Sequence, residues 1–124
     1  MIKNITVVGA GTMGHGIAHV FARQGYEVSI YEPFEAVREQ AMGKISDELQ
    51  FMVDEDYITA KEKDDTLKHI KIYDMLVDAA KNADYVIEAC PEKMELKQEL
   101  FETLDKICPK HTIFATNTDR KSVV

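Results

Sequence analysis

The stretch that decides the fold is ITVVGAGTMGHGIAHVFARQGYEVSIYE, residues 5–32. It holds three glycines between an apolar run and an amphipathic pattern: Gly9, Gly11 and Gly14. Glycine costs conformational entropy and adds no side-chain packing, so this spacing predicts a place where bare backbone is required. The β-branched run at 3–8 predicts a buried strand, and residues 12–24 predict a helix. The glycines therefore lie at a strand-to-helix turn.

The glycines form the motif G-x-G-x-x-G, and each position has a physical reason. The first glycine permits a tight turn, the second lets a diphosphate approach the backbone, and the third lets the helix pack on the strand. The first N–H groups of the helix and its positive dipole end would then meet the phosphates. The alternative is a tight turn that binds no ligand.

Glu32 directly follows the second predicted strand, 26–31, and lies 18 residues beyond Gly14. A carboxylate at this position accepts hydrogen bonds from ribose hydroxyls and repels a 2′-phosphate. No arginine or lysine stands immediately beside it in the sequence. The pattern therefore favours NAD over NADP as the cofactor.

The remaining pattern alternates strands with helices. Further strands are predicted at 70–73, 84–89 and 112–116, and further helices at 34–53, 75–81 and 93–107. The charged stretch 54–69 predicts a partly helical return arm, so that 34–53 and 55–66 would form a long helical hairpin projecting from the sheet after the second strand. We therefore expect an α/β, Rossmann-like domain over residues 1–124, with a mostly parallel sheet and helices on both faces.

Composition limits the class of partner. The chain has 124 residues, of which 45% are hydrophobic and 30% are charged, and a net charge of −7. This charge argues against a nucleic-acid or anionic-membrane partner, and no apolar run is long enough to span a bilayer. Cys90 and Cys108 stand apart in no metal-ligand spacing, which is typical of a reduced, cytoplasmic protein.

Several polar residues are ambiguous. His15 and His19 are four apart on one predicted helix face, a spacing that metal sites use, but no third ligand is evident and a packing or solvent role is favoured. A buried, inert thiol is the favoured interpretation of Cys90. Three residues follow predicted strands at the edge where such sheets bind ligands, although ordinary surface positions would explain the charged pair among them: Glu92, Lys97 and Asn117.

Three blocks of sequence carry a resemblance to a known family. They are GAGTMGHGIA at 9–18, VIEACPEKMELKQELFETLDKI at 86–107 and HTIFATNT at 111–118. Together they resemble the NAD-binding domain of the 3-hydroxyacyl-CoA dehydrogenases, particularly the 3-hydroxybutyryl-CoA type, from about residue 3 to Thr118. The resemblance implies an oxidoreductase of fatty acid metabolism that interconverts 3-hydroxyacyl-CoA and 3-oxoacyl-CoA, with a homodimeric parent enzyme.

The resemblance also implies roles for individual residues. The diphosphate would be held by Gly9, Ala10, Gly11, Thr12, Met13 and Gly14. Glu32 would bind the ribose, and Ala89 would lie along the dinucleotide. Glu92 and Lys97 would line the cofactor and acyl-CoA site, and Asn117 would lie at the nicotinamide end.

The chain also departs from the family pattern. Asp119 stands where the family has a serine that contacts substrate, and a carboxylate lacks the donor of a hydroxyl and repels an oxyanion. Residues 119–124 match nothing else in the family, whose members are longer and carry their catalytic His–Glu pair beyond this point. We therefore expect a chain that binds NAD and has no catalytic residue of its own. The alternatives are a non-catalytic NAD-binding or sensing module and a related sugar-acid dehydrogenase.

Overall fold

The computed structural model describes residues 2–9, 12–89 and 94–116. In chain order the elements are β1 (Asn4–Val8), α1 (Thr12–Arg23), β2 (Glu27–Tyr31), α2 (Glu35–Asp54), α3 (Ala60–Lys68), β3 (Ile70–Tyr73), α4 (Leu76–Ala80), β4 (Tyr85–Glu88), α5 (Met94–Ile107) and β5 (Ile113–Thr116). The boundaries predicted from periodicity and turn residues lie close to these.

The strands form one parallel sheet in the order β3-β2-β1-β4-β5. The chain builds outward from β1 through β2 to β3, then returns to the other side of β1 with β4. Val8, at the end of β1, stands in register with Tyr31 of β2 and Glu88 of β4. The strand order therefore reverses beside β1, and the carboxyl ends of the strands meet at one edge. The predicted Rossmann-like fold is confirmed.

Alternation along β1 separates two apolar cores. Ile5 and Val7 face a cluster with Ala18 of α1 and with Ile45 of α2. Val8 faces the opposite cluster, which contains Leu104 of α5. Because successive strand residues point to opposite faces, helices cover the sheet on both sides.

The predicted helical hairpin is formed by α2 and α3. Helix α2 buries Ala41, Ile45 and Leu49, one residue on each successive turn. Helix α3 begins with a capping box, in which the Thr59 side chain accepts from the Glu62 N–H and the Glu62 side chain accepts from the Thr59 N–H. Both helices pack against α1, so the hairpin lies along the domain rather than projecting from it.

Asp84 joins three strands at the amino-terminal edge of the sheet. One carboxylate oxygen accepts from the backbone N–H groups of Lys3 and Asn4 at 2.8 and 2.9 Å, and the other pairs with His111 Nε2 at 2.6 Å. These bonds, that from Asn4 most strongly and then those from His111 and Lys3, lower the pKa of Asp84 to about 2. One carboxylate thus connects the starts of β1, β4 and β5.

We expect Asp84→Ala to destabilise the domain at neutral pH by about 1 to 2 kcal/mol, because the N–H groups of Lys3 and Asn4 and the His111 ring lose a charged acceptor. Since the folded pKa is lowered, the carboxylate stabilises the fold above its ordinary pKa of 3.8, and this contribution is lost as the pH falls to about 2. Urea unfolding across this range measures it. Asp64→Ala, an exposed site on α3, is the control, and equal effects of the two variants would contradict the role of Asp84.

Candidate functional site

The glycine turn between β1 and α1 is a close backbone crossing. Gly9 has φ of 104°, a conformation that side chains disfavour. A Cβ added to Gly14 would lie 2.7 Å from the carbonyl carbon of Gly9 and closer still to its oxygen. Glycine is therefore required at both positions. Thr12 and Met13 lie in the first turn of α1, whereas Ala10 and Gly11 lie outside the described residues.

The start of α1 faces the carboxyl edge of the sheet and suits an anion. The first N–H groups of a helix have no intrahelical acceptor, and the helix dipole places partial positive charge there. The first turn of α1 carries no acidic residue. A backbone crossing too tight for a Cβ, next to the first N–H groups of α1, fits the diphosphate of a dinucleotide.

Glu32 lies beside this turn. The Gly9 N–H donates to the carbonyl of Tyr31 at 2.8 Å, and the Glu32 N–H donates to the carbonyl of Tyr73 at 3.0 Å. The residue is 6% exposed, and its carboxylate accepts from the Phe34 N–H at 3.2 Å. The backbone bonds therefore fix the predicted ribose-binding carboxylate next to the predicted diphosphate turn.

The fold brings an arginine to the same corner. Arg38 Nη1 donates to the carbonyl oxygens of Glu32 at 2.8 Å and Pro33 at 2.9 Å. In the sequence Arg38 stands six residues beyond Glu32, but α2 begins at Glu35 and turns Arg38 back toward the end of β2. An arginine in the first turn of the helix that follows the second strand is the sequence signal from which this contact could have been predicted.

The end of β4 completes the described part of this edge. The Ala89 N–H donates to the carbonyl of Val8 at 2.9 Å, which places Ala89 beside the glycine turn. Glu88, which the sequence pattern did not single out, is fully buried at the end of β4. Lys97 belongs to α5. The other predicted residues of this edge lie outside the described residues: Cys90, Glu92, Asn117 and Asp119.

His15 and His19 are buried between α1 and α2. Their Nε2 atoms pair with the two carboxylate oxygens of Glu48, at 2.7 Å for His15 and 2.8 Å for His19. Burial lowers the pKa of His19, and its Nδ1 atom is buried without a hydrogen-bond partner. Among the described side chains, no group of three or more His, Cys, Asp or Glu residues is arranged to hold a metal ion. The packing role favoured for these histidines agrees with this arrangement.

The other two histidines also pair with carboxylates, but at the opposite edge of the sheet. His69 Nδ1 lies 2.8 Å from Glu27, at the start of β2, and His111 pairs with Asp84 before β4. A strand rises about 3.3 Å per residue, so roughly 13 to 16 Å of sheet separates these pairs from the glycine turn. Neither pair is placed to act on a ligand bound at the carboxyl edge.

A parallel sheet of this strand order, with a glycine-only crossing at its switch point, defines the dinucleotide-binding class of domain. The chain matches the family model for the 3-hydroxyacyl-CoA dehydrogenase NAD binding domain over residues 4–123, and it belongs to that family. NAD is therefore the cofactor of this domain. The match extends to residue 123, beyond Thr118, where the resemblance was expected to end.

Individual relatives agree with the family. The chain is 40% identical over 117 residues to a probable 3-hydroxybutyryl-CoA dehydrogenase of Bacillus subtilis, covering 94% of this chain and 40% of that protein. It is 36% identical over 123 residues to the mitochondrial hydroxyacyl-coenzyme A dehydrogenase of Mus musculus, covering 95% and 39%. The crystal structure of 3-hydroxybutyryl-CoA dehydrogenase from Escherichia coli K12 superposes with a TM-score of 0.89 at 36% identity, covering 95% and 25%. The chain thus spans less than half the length of each.

Proposed function

We propose that this chain is the cofactor-binding part of an NAD-dependent dehydrogenase that interconverts 3-hydroxyacyl-CoA and 3-oxoacyl-CoA. The observation that carries the proposal is the crossing of Gly9 and Gly14, where a Cβ on Gly14 would overlap the Gly9 carbonyl and Gly9 has a φ of 104°. It stands at the sheet edge where dinucleotides bind, with Glu32 beside it. The substrate class is supported by membership of the 3-hydroxyacyl-CoA dehydrogenase family.

The proposal assigns roles to the chain's own residues. The backbone of the glycine turn would hold the diphosphate: Gly9, Ala10, Gly11, Thr12, Met13 and Gly14. Glu32 would accept from the adenosine ribose, and Ala89 would lie along the dinucleotide. Glu92 and Lys97 would line the cofactor and acyl-CoA site, and Asn117 would lie near the nicotinamide. Bound NAD supplies the hydride acceptor, and these residues orient it.

A second candidate function is an NAD-binding module that performs no catalysis by itself. It is favoured by the placement of the histidines, since a base for a hydroxyl proton must reach the substrate. Within the described ranges, His69 and His111 form their carboxylate pairs at the opposite edge, and His15 and His19 are buried against Glu48. We therefore assign no catalytic residue to this chain, and we treat residues 1–124 as one NAD-binding domain.

Partners and location extend the proposal. A homodimeric parent enzyme is supported by the family resemblance, and the net charge of −7 disfavours nucleic acid and anionic membranes as partners. No described helix combines the length and apolar composition that crossing a bilayer requires. A cytoplasmic location is proposed from the separated cysteines, although three mammalian relatives are named mitochondrial.

A chimera tests the function. We expect the 124-residue chain to bind NAD in calorimetry and to give no turnover of 3-hydroxybutyryl-CoA. Residues 1–116 fused to the rest of the Bacillus subtilis relative should form NADH from that substrate within about tenfold of the intact relative, which corresponds to about 1.4 kcal/mol in the barrier. Turnover by the chain alone, or a folded, NAD-binding chimera that is inactive, would contradict the proposal.

A further inference from the structure

Two side chains of opposite charge, Glu32 and Arg38, hydrogen-bond to the backbone just after β2. Glu32 holds its carboxylate against the Phe34 N–H, while Arg38 holds its guanidinium against the Glu32 and Pro33 carbonyl oxygens. Arg38 is half-buried, and both bonds use the same terminal nitrogen. A guanidinium carries five N–H donors in a planar fork, so its charge and further donors lie at this corner.

This corner is where dinucleotides carry their distinguishing group. An acidic residue ending the second strand accepts from the 2′-hydroxyl of NAD, and an arginine near it accommodates the 2′-phosphate of NADP. Both elements are present here. The carboxylate would repel a phosphate, whereas the guanidinium would attract it and offer paired hydrogen bonds.

We propose that Arg38 is a second determinant of cofactor choice, completing a 2′-phosphate subsite that the Glu32 carboxylate keeps closed. NAD is then preferred because repulsion of the 2′-phosphate by Glu32 outweighs its attraction by Arg38, and not because a cation is absent. The ligand class of the latent subsite is a 2′-phosphorylated adenosine dinucleotide. This inference rests on the proposed function, because it requires NAD to bind at the carboxyl edge.

The test measures the dissociation constants of NAD and NADP by calorimetry for four chains: wild type, Glu32→Ser, Arg38→Ala and the double variant. Wild type should prefer NAD. Glu32→Ser should weaken NAD about tenfold and tighten NADP about tenfold or more, with the NADP gain declining at high salt. Adding Arg38→Ala should remove most of that NADP gain while changing NAD affinity by less than about threefold.

Two further variants separate charge from structure. Arg23→Ala, at the other end of α1, should leave the NADP affinity of Glu32→Ser unchanged. Arg38→Lys keeps the charge and should retain part of the gain. The inference is overturned if the double variant binds NADP as tightly as Glu32→Ser, or if Arg38→Ala weakens both cofactors equally. Failure of wild type to bind either cofactor would instead overturn the proposed function.

Discussion

Replacing Gly14 with alanine is expected to weaken NAD binding by about 100-fold or more, equivalent to about 3 kcal/mol. The new Cβ would overlap the Gly9 carbonyl, so either the turn after β1 or the start of α1 must shift. Both carry backbone groups that the diphosphate would contact. The same strain should destabilise the domain by about 3 kcal/mol, at the upper end of overpacked sites. Calorimetry with NAD and urea unfolding measure the two effects.

Gly16 provides a matched control on the same helix. A Cβ at Gly16 would meet nothing within 4 Å, so Gly16→Ala adds a methyl group without overlap. Alanine favours the helix interior over glycine, and this variant should be stabilised by up to about 1 kcal/mol with unchanged NAD affinity. If the two alanine variants bound NAD equally, the glycine crossing would not be the diphosphate site.

Removing the carboxylate between α1 and α2 should have the second largest effect. Glu48→Ala leaves the Nε2 atoms of His15 and His19 without their acceptor in a buried position. The Glu48 side chain is 42% exposed, so water can replace part of the loss, and we expect destabilisation of about 2 kcal/mol. Asp47→Ala, the exposed neighbour on α2, should change the unfolding free energy by less than about 0.5 kcal/mol. Equal effects of Glu48→Ala and Asp47→Ala would show that the contacts of Glu48 with the two histidines do not stabilise the domain.

The contacts of Glu48 with His15 and His19 should also make the unfolding free energy of the domain depend on pH. Burial lowers the pKa of His19 below 6.5, an effect that Glu48 opposes and Arg23 and His15 reinforce. A histidine with a lowered folded pKa binds fewer protons than in the unfolded chain, so stability falls as the pH drops below 6.5. His19→Gln should flatten this decline. Urea unfolding between about pH 7.5 and pH 5.5 measures it, and an unchanged slope would exclude His19 as the source.

Local patterns were enough to predict the elements. The glycine motif, the apolar strands and the stripe of α2 follow short-range rules, and the helix predicted at 34–53 is observed at Glu35–Asp54. The return arm was predicted only as partly helical, yet Thr59 and Glu62 form the capping box that marks the start of α3. That signal was present in the sequence.

The contacts between residues far apart in the chain could not be predicted in the same way. Glu48 meets His19 across 29 positions, and Asp84 meets Lys3 across 81. Such partners depend on how whole helices and strands are placed, which periodicity does not specify. Arg38 lies nearer to Glu32 in the chain, but its contact depends on the direction in which α2 leaves the sheet. The four-residue spacing of His15 and His19 favoured a packing or solvent role, but their shared partner Glu48 is seen only once α2 is placed.

The bonds of Asp84 fasten the amino-terminal edge of the sheet, whereas the glycine crossing and Glu32 occupy the carboxyl edge. In this parallel sheet, the side-chain bonds that join the starts of three strands and the residues proposed to bind the cofactor therefore lie at opposite edges. Stabilising substitutions or a spectroscopic label can therefore be placed at the amino-terminal edge without changing the residues at the carboxyl edge. Likewise, substitutions at the carboxyl edge that change cofactor preference in related chains would leave the bonds of Asp84 intact.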